Sequence, residues 1–117
     1  MIEGTVTDDG IPVIMLEIAG QQLTAVIDTG FNGDLELPQS IMTNLELTSL
    51  GPDQSVLAAG QEVIETLYAI RFTFDGEDLR AEATFAPVSE ALLGTRLLRR
   101  HRLEVDFPES KVLLTRA

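Results

Sequence analysis

The sequence predicts an all-β protein built from short strands, and two observations support this fold class. Turn-forming pairs such as Asp9-Gly10 and Asp75-Gly76 recur along the chain. Between the turns lie short segments rich in apolar and β-branched residues, which is the pattern of a sandwich or a barrel. With 117 residues, the chain has the length of one domain and can bury a stable core without a disulfide or a metal.

The predicted strands follow from these turns and from the alternation between them. The Asp-Gly pair at 75–76 suits a tight hairpin turn, and the alternating apolar and acidic residues from Leu103 to Phe107 predict a half-buried strand. The predicted strands are 5–7, 12–18, 22–27, 71–74, 79–85, 103–107 and 111–115.

Two short helices complete the prediction. Pro38 is expected to open a helix over 39–45, because proline fits the first helical position. Thr95 is expected to cap a second helix that extends to about His101 and shares one face with the two leucines between them.

Composition excludes several classes of function. The net charge is −11, and all eight Lys and Arg residues lie at or after Arg71. An acidic chain repels phosphates and anionic lipids, so we expect neither nucleic acid nor a membrane as a partner. The charge has two interpretations, which are solubility and an acidic cleft that prefers cationic or neutral peptides.

The sequence offers few imidazole and thiol side chains for binding a metal or for redox chemistry. It has no cysteine and a single histidine, His101, which excludes a disulfide framework, a thiolate zinc site and a multi-histidine site within one chain. We therefore expect no metal and no cofactor. The apolar stretches are too short to span a membrane, and the N-terminus lacks the pattern of a signal peptide, so we expect a cytoplasmic protein.

The most informative segment is the apolar run 23–27 that ends in Asp28-Thr29-Gly30. A carboxylate at the end of a buried strand needs hydrogen-bond partners or a chemical role. A plain turn, in which Asp28 accepts local backbone donors, is the simpler explanation. The segment 91–95 repeats the arrangement weakly, as an apolar strand, a glycine-bearing turn and a short helix.

Three segments together resemble the retropepsin-like family, the retroviral-type, single-domain aspartic peptidases. The segment 26–30 (Val-Ile-Asp-Thr-Gly) resembles their active-site turn, and 92–94 (Leu-Leu-Gly) resembles their second hydrophobic-hydrophobic-glycine turn. The segment 55–63 resembles their flap hairpin, with Gly60 at or near its tip. The order and spacing of these segments cover nearly the whole chain.

The resemblance implies that residues 1–117 form a single retropepsin-like aspartic protease domain. Its fold would be a closed acid-protease β-barrel with one or two short helices and a flap hairpin. Its function would be that of an aspartic endopeptidase, which hydrolyses peptide bonds with a water activated by Asp28. Because the chain has one Asp-Thr-Gly, the second aspartate would be Asp28 of a second subunit across a two-fold axis.

The resemblance also implies roles for the residues around Asp28. Thr29 would offer its hydroxyl across the dimer axis, and Gly30 would let the loop turn. The expected catalytic residues are Asp28, Thr29 and Gly30. The expected substrate-binding and flap residues are Phe31, Ala58, Ala59 and Gly60. The expected structural turn consists of Leu93 and Gly94.

Some features depart from the retroviral pattern and leave alternatives open. Arg96 follows Gly94 by two residues, and it either pairs with Asp34 or serves the dimer. The segment 111–115 is a candidate for the dimer sheet. A non-catalytic dimeric peptide-binding module on the same fold is the alternative function, and an unrelated monomeric β-barrel is a third possibility.

Overall fold

A computed structural model describes the backbone of residues 1–56, 60 and 62–117, and the side chains of residues 1–52, 60 and 64–117. The described residues form ten strands of 3 to 13 residues and two short helices, which confirms the all-β prediction. The elements are β1 (Ile2–Val6), β2 (Pro12–Ile18), β3 (Gln21–Ile27), β4 (Leu35–Pro38), a 3₁₀ helix (Gln39–Asn44), β5 (Thr48–Val56), β6 (Glu62–Phe74), β7 (Glu77–Ala86), β8 (Ala91–Leu93), α1 (Thr95–Leu98), β9 (His101–Asp106) and β10 (Lys111–Arg116).

All ten strands belong to one sheet with the order β5-β6-β7-β4-β8-β3-β2-β1-β10-β9. The order has two ends, β5 and β9, and in the described part of the chain these strands do not pair with each other. The closure of the barrel expected from the sequence is therefore not confirmed. Neither of the two helices in the described ranges is long enough to cross a membrane.

The centre of the sheet brings distant parts of the chain together. Strand β3 pairs with β8 in parallel, β8 pairs with β4 antiparallel, and β4 pairs with β7 in parallel. Because parallel strands end at the same edge of a sheet, the turn after β3 lies beside the turn after β8. The two glycine-bearing turns of the sequence are thus neighbours in space.

One face of these four strands forms the core. Side chains alternate between the faces of a strand, and on this face β3, β8, β4 and β7 contribute residues that are almost completely buried. They pack with residues of β2, β6 and β10 in one cluster. The residues of the central strands on this face are Ala25, Ile27, Ala91, Leu93, Leu35, Leu37 and Ala83.

Both helices differ from the prediction. Pro38 lies at the N-cap and not at the first helical position, and the turn that follows is a 3₁₀ helix. The helix α1 has Gly94 as its N-cap and ends at Leu98. His101 belongs to β9, where it pairs with Arg116 of β10, so ladder pairing with β10 replaces the predicted last turn of the helix.

The segment 111–115, a candidate for the dimer sheet, belongs to β10. Strand β10 lies between β1 and β9, so partners within its own chain occupy both of its edges. Such a strand has no free backbone edge to offer a second chain. At this end of the sheet the unpaired edge belongs to β9.

Candidate active site

Asp28 lies directly after β3, at the edge where β3 and β8 end. Its backbone N–H donates a hydrogen bond to the carbonyl oxygen of Leu93 at 2.9 Å, so the ladder between β3 and β8 continues one residue past the strand. Because side chains alternate along a strand, the Asp28 carboxylate shares a face with Val26 and points away from the core. It is half-buried.

The turn around Asp28 is held by its own backbone. The N–H of Gly30 donates to Oδ1 of Asp28 at 2.9 Å, and the N–H of Phe31 donates to the Asp28 carbonyl oxygen at 3.1 Å. A Cβ on Gly30 would lie 3.3 Å from the same Oδ1, so a side chain there would crowd the carboxylate. Thr29, the third expected catalytic residue, is exposed beside them.

The loop 31–34 is clamped by the residues that follow β8. Gly94 donates its N–H to the Asp34 carbonyl oxygen at 3.0 Å, Thr95 donates to Phe31 at 2.8 Å, and Arg96 donates to Gly33 at 3.2 Å. Three successive backbone donors therefore position the loop that continues from the Asp28 turn.

Asp34 and Arg96 form a second layer of this clamp. The Asp34 side chain is buried, and its Oδ2 accepts a hydrogen bond from the N–H of Glu82 at 2.9 Å. Arg96 pairs with Glu82 and lies 3.8 Å from Asp34. The hydrogen bond to Glu82 and the charge of Asp34 raise the pKa of Arg96. The structure thus places Arg96 against Asp34 and Glu82 of its own chain.

Comparison with solved structures identifies the architecture. A retropepsin-like aspartic protease from Rickettsia conorii superposes with a TM-score of 0.68 at 19% identity, over 97% of this chain and 88% of that one. The simian foamy virus (mac) protease superposes with a TM-score of 0.58 at 21% identity, over 74% of this chain and 91% of that one. The chain has the retropepsin-like fold.

The similarity to these proteins is one of three-dimensional structure. No protein-family model and no curated protein matches the sequence. The foamy viral protease-reverse transcriptase also shares the fold, with a TM-score of 0.59 at 16% identity over 91% of this chain and 13% of that one. The resemblance inferred from three short segments is therefore confirmed as a likeness of fold.

Within the retropepsin-like fold, the hairpin expected to be the flap is formed by β5 and β6. Their antiparallel pairing runs from Thr48 with Ala69 to Val56 with Glu62. Gly60 lies in the connection, exposed and with a φ of 79°, a conformation that glycine adopts without strain. Ala58 and Ala59 lie outside the described residues.

Phe31 contributes both its backbone and its ring to the loop. Its carbonyl oxygen accepts hydrogen bonds from the N–H and, at 3.3 Å, the hydroxyl of Thr95. Its ring lies over Gly33, where an added Cβ would come within 2.7 Å of Cε1 and Cζ. The half-buried ring thus covers the loop next to Asp28.

Sequence reasoning missed one charged residue near Asp28. Glu36 lies on β4 between two core leucines, and burial together with the charges of Glu65 and Asp28 raises its pKa. An acid flanked by leucines in 35–37 is visible in the sequence as period-two alternation, but its face relative to Asp28 depends on strand pairing.

In the described ranges, no group of three His, Cys, Asp or Glu side chains is arranged to hold a metal ion.

Proposed function

We propose that this protein is an aspartic endopeptidase that acts as a homodimer, with Asp28 of each subunit activating the attacking water. The position of Asp28 is the main observation that supports this proposal. Asp28 lies on a turn anchored by Leu93, away from the core, in a chain with the retropepsin-like fold.

The reason for proposing a homodimer is the number of Asp-Thr-Gly turns in the chain. The sequence contains one Asp-Thr-Gly, whereas hydrolysis by a general base and a general acid requires two carboxylates. A two-fold axis beside the Asp28 turn would bring two identical carboxylates together. Two close carboxylates hold one proton between them, because ionisation of both is electrostatically unfavourable.

The chemistry then needs only a water molecule and this shared proton. The ionised carboxylate takes a proton from the water as its oxygen attacks the carbonyl carbon of the peptide bond. The protonated carboxyl gives its proton to the carbonyl oxygen. As the tetrahedral intermediate collapses, one of its hydroxyl groups gives a proton to the ionised carboxylate and the C–N bond breaks. The leaving nitrogen takes the proton that the other carboxyl accepted from the water, so the pair again holds one shared proton.

The test is cleavage of a diverse peptide library, read by mass spectrometry, with the wild type, Asp28→Asn and Asp78→Asn. We expect cuts by the wild type that Asp28→Asn does not make. Asp78 is an exposed aspartate on β7, so Asp78→Asn is the matched control and keeps the cuts. Identical cuts by the wild type and Asp28→Asn would disprove the role of Asp28.

A mixing experiment tests the homodimer separately. If each active site needs Asp28 from both subunits, an equal amount of Asp28→Asn added to the wild type leaves about half of the wild-type activity after subunit exchange. A larger excess reduces the activity further. Undiminished activity after verified exchange would show that a single Asp28 is sufficient. A confirmed dimer that binds peptides without any cut would favour the peptide-binding module.

A further inference from the structure

A row of four side chains crosses the centre of the sheet on the face opposite the core. Val26 of β3 is paired with Leu92 of β8, Leu92 with Glu36 of β4, and Glu36 with Thr84 of β7. Residues paired in register point to the same face. We call these four residues the site row, because the Asp28 side chain lies on the same face.

Glu36 is the ionisable member of the site row. Its neighbours Leu35 and Leu37 are 1% and 0% exposed in the core, so strand alternation turns Glu36 to the Asp28 face. Two strand spacings separate it from β3, or about 10 Å across the sheet. A side chain bound over Leu92 would therefore lie between Asp28 and Glu36.

The surroundings of Glu36 disfavour its negative charge. Glu36 is half-buried, its neighbour Leu92 is apolar, and burial together with the charges of Glu65 and Asp28 raises its pKa. A charge held at such a position without a partner is unfavourable for the free protein. Such positions concentrate at functional sites, where a ligand supplies the missing partner.

This chain does not supply a cation to Glu36. All Lys and Arg residues lie at or after Arg71, within the described ranges. None of the ion pairs among the described side chains involves Glu36. The arginine pairs are Arg71 with Asp78, Arg96 with Glu82 and Asp34, and Arg116 with Asp75 and Glu77.

We propose that Glu36 is a specificity-determining residue of the proposed peptidase site and accepts the side chain of a lysine or arginine in the substrate. The inference rests on the proposed function. The aliphatic part of such a side chain would lie along Val26 and Leu92, with its charged end at Glu36. The net charge of −11 adds a field that attracts cationic peptides.

The test uses peptide libraries with one central position held as Lys, Met or Glu. We expect the wild type to cleave the Lys library faster than the Met library by roughly 10- to 100-fold in kcat/KM, as for a charge-assisted hydrogen bond in a partly buried site. Glu36→Gln should lose this preference, so that the ratio of its kcat/KM values on the Lys and Met libraries falls towards one. Glu36→Lys should prefer the Glu library.

The controls separate a specific contact from a general effect of charge. Glu17 on β2 is exposed, so Glu17→Gln removes the same charge away from the site row and should keep the Lys preference. Circular dichroism of each variant verifies its fold. An equal Lys preference in the wild type and Glu36→Gln would overturn the proposal and leave the peptidase standing.

Binding measurements keep the inference testable if the wild type cleaves nothing. The same libraries, fluorescently labelled, are titrated with Asp28→Asn and with the double variant Asp28→Asn/Glu36→Gln. Tighter binding of the Lys library to Asp28→Asn alone would support the role of Glu36 even if the proposed peptidase activity fails. Equal binding of the Lys and Met libraries, or no binding of either, would overturn it.

Discussion

Replacing Gly94 with alanine adds one carbon where the start of α1 meets the loop after Asp28. The new Cβ would overlap the carbonyl oxygen of Gly33 and lie 2.7 Å from its carbonyl carbon and 2.8 Å from the Phe31 oxygen. Gly94 has a φ of −96° and a ψ of 171°, which alanine adopts freely. The cost of the substitution therefore comes from the contact and not from backbone strain.

The loss of stability caused by Gly94→Ala depends on which atoms must move to make room for the new Cβ. Backbone atoms surround the new Cβ, so relief requires the loop and α1 to separate. Separation weakens the three hydrogen bonds that Gly94, Thr95 and Arg96 donate at 3.0, 2.8 and 3.2 Å, each worth about 1 kcal/mol. We expect Gly94→Ala to lower the free energy of unfolding by about 3 kcal/mol, at the upper end of overpacking costs.

The assay is urea unfolding followed by circular dichroism, with Gly20→Ala as the control. Gly20 has a φ of 76°, and an added Cβ meets nothing within 4 Å. Gly20→Ala should therefore lower the free energy of unfolding through backbone strain alone, by about 1 kcal/mol. If Gly94→Ala costs no more than Gly20→Ala, the clamp described for the loop is refuted.

Three further predictions concern buried or charged carboxyl groups. Asp34→Ala should cost about 1–3 kcal/mol in urea unfolding, because it leaves the N–H of Glu82 without an acceptor; Asp34→Asn, which keeps an acceptor oxygen, should cost less. The hydrogen bond from the Met1 amine lowers the pKa of Asp75, so the Asp75 carboxylate stabilises the fold at neutral pH, and this contribution is lost as the pH falls through the lowered pKa. The melting temperatures of the wild type and Asp75→Asn should therefore converge in acid. A difference that stays constant with pH would contradict this role of Asp75. The pKa of Glu36 is raised, so Glu36→Gln should be more stable than the wild type at neutral pH. This gain in stability should vanish in acid, where the carboxyl is protonated in folded and unfolded chains alike. Equal stability of the two proteins at neutral pH would argue against an unfavourable charge at Glu36.

Much of the candidate site was visible in the sequence. The apolar run that ends in Asp28-Thr29-Gly30 predicts a strand and a turn, and both are present with the carboxylate at the end of β3. The segment 91–94 predicts a second strand and turn, which the structure places beside the first. These features depend on local alternation and turn chemistry, which a short stretch of sequence contains.

Other elements depended on partners far away in the chain. The sequence does not predict the four-residue strand β4, which is stabilised by pairing with β8 and β7. His101 was assigned to a helix by its spacing, but pairing with Arg116 and a 3.2 Å contact with Asp75 hold it in β9. In each case tertiary contacts outweighed the local preference.

The sequence by itself determined the all-β class, the positions of most turns and the single carboxylate at the end of β3. Only the tertiary structure decided that β5 and β9 are the two ends of the sheet in the described part of the chain, that Arg96 pairs with Glu82, and that Glu36 shares a face with Asp28. The physical reason is that alternation along a strand specifies two faces without specifying neighbours. The neighbours depend on which distant strands pair and in which register, and that is decided by the packing of the whole core.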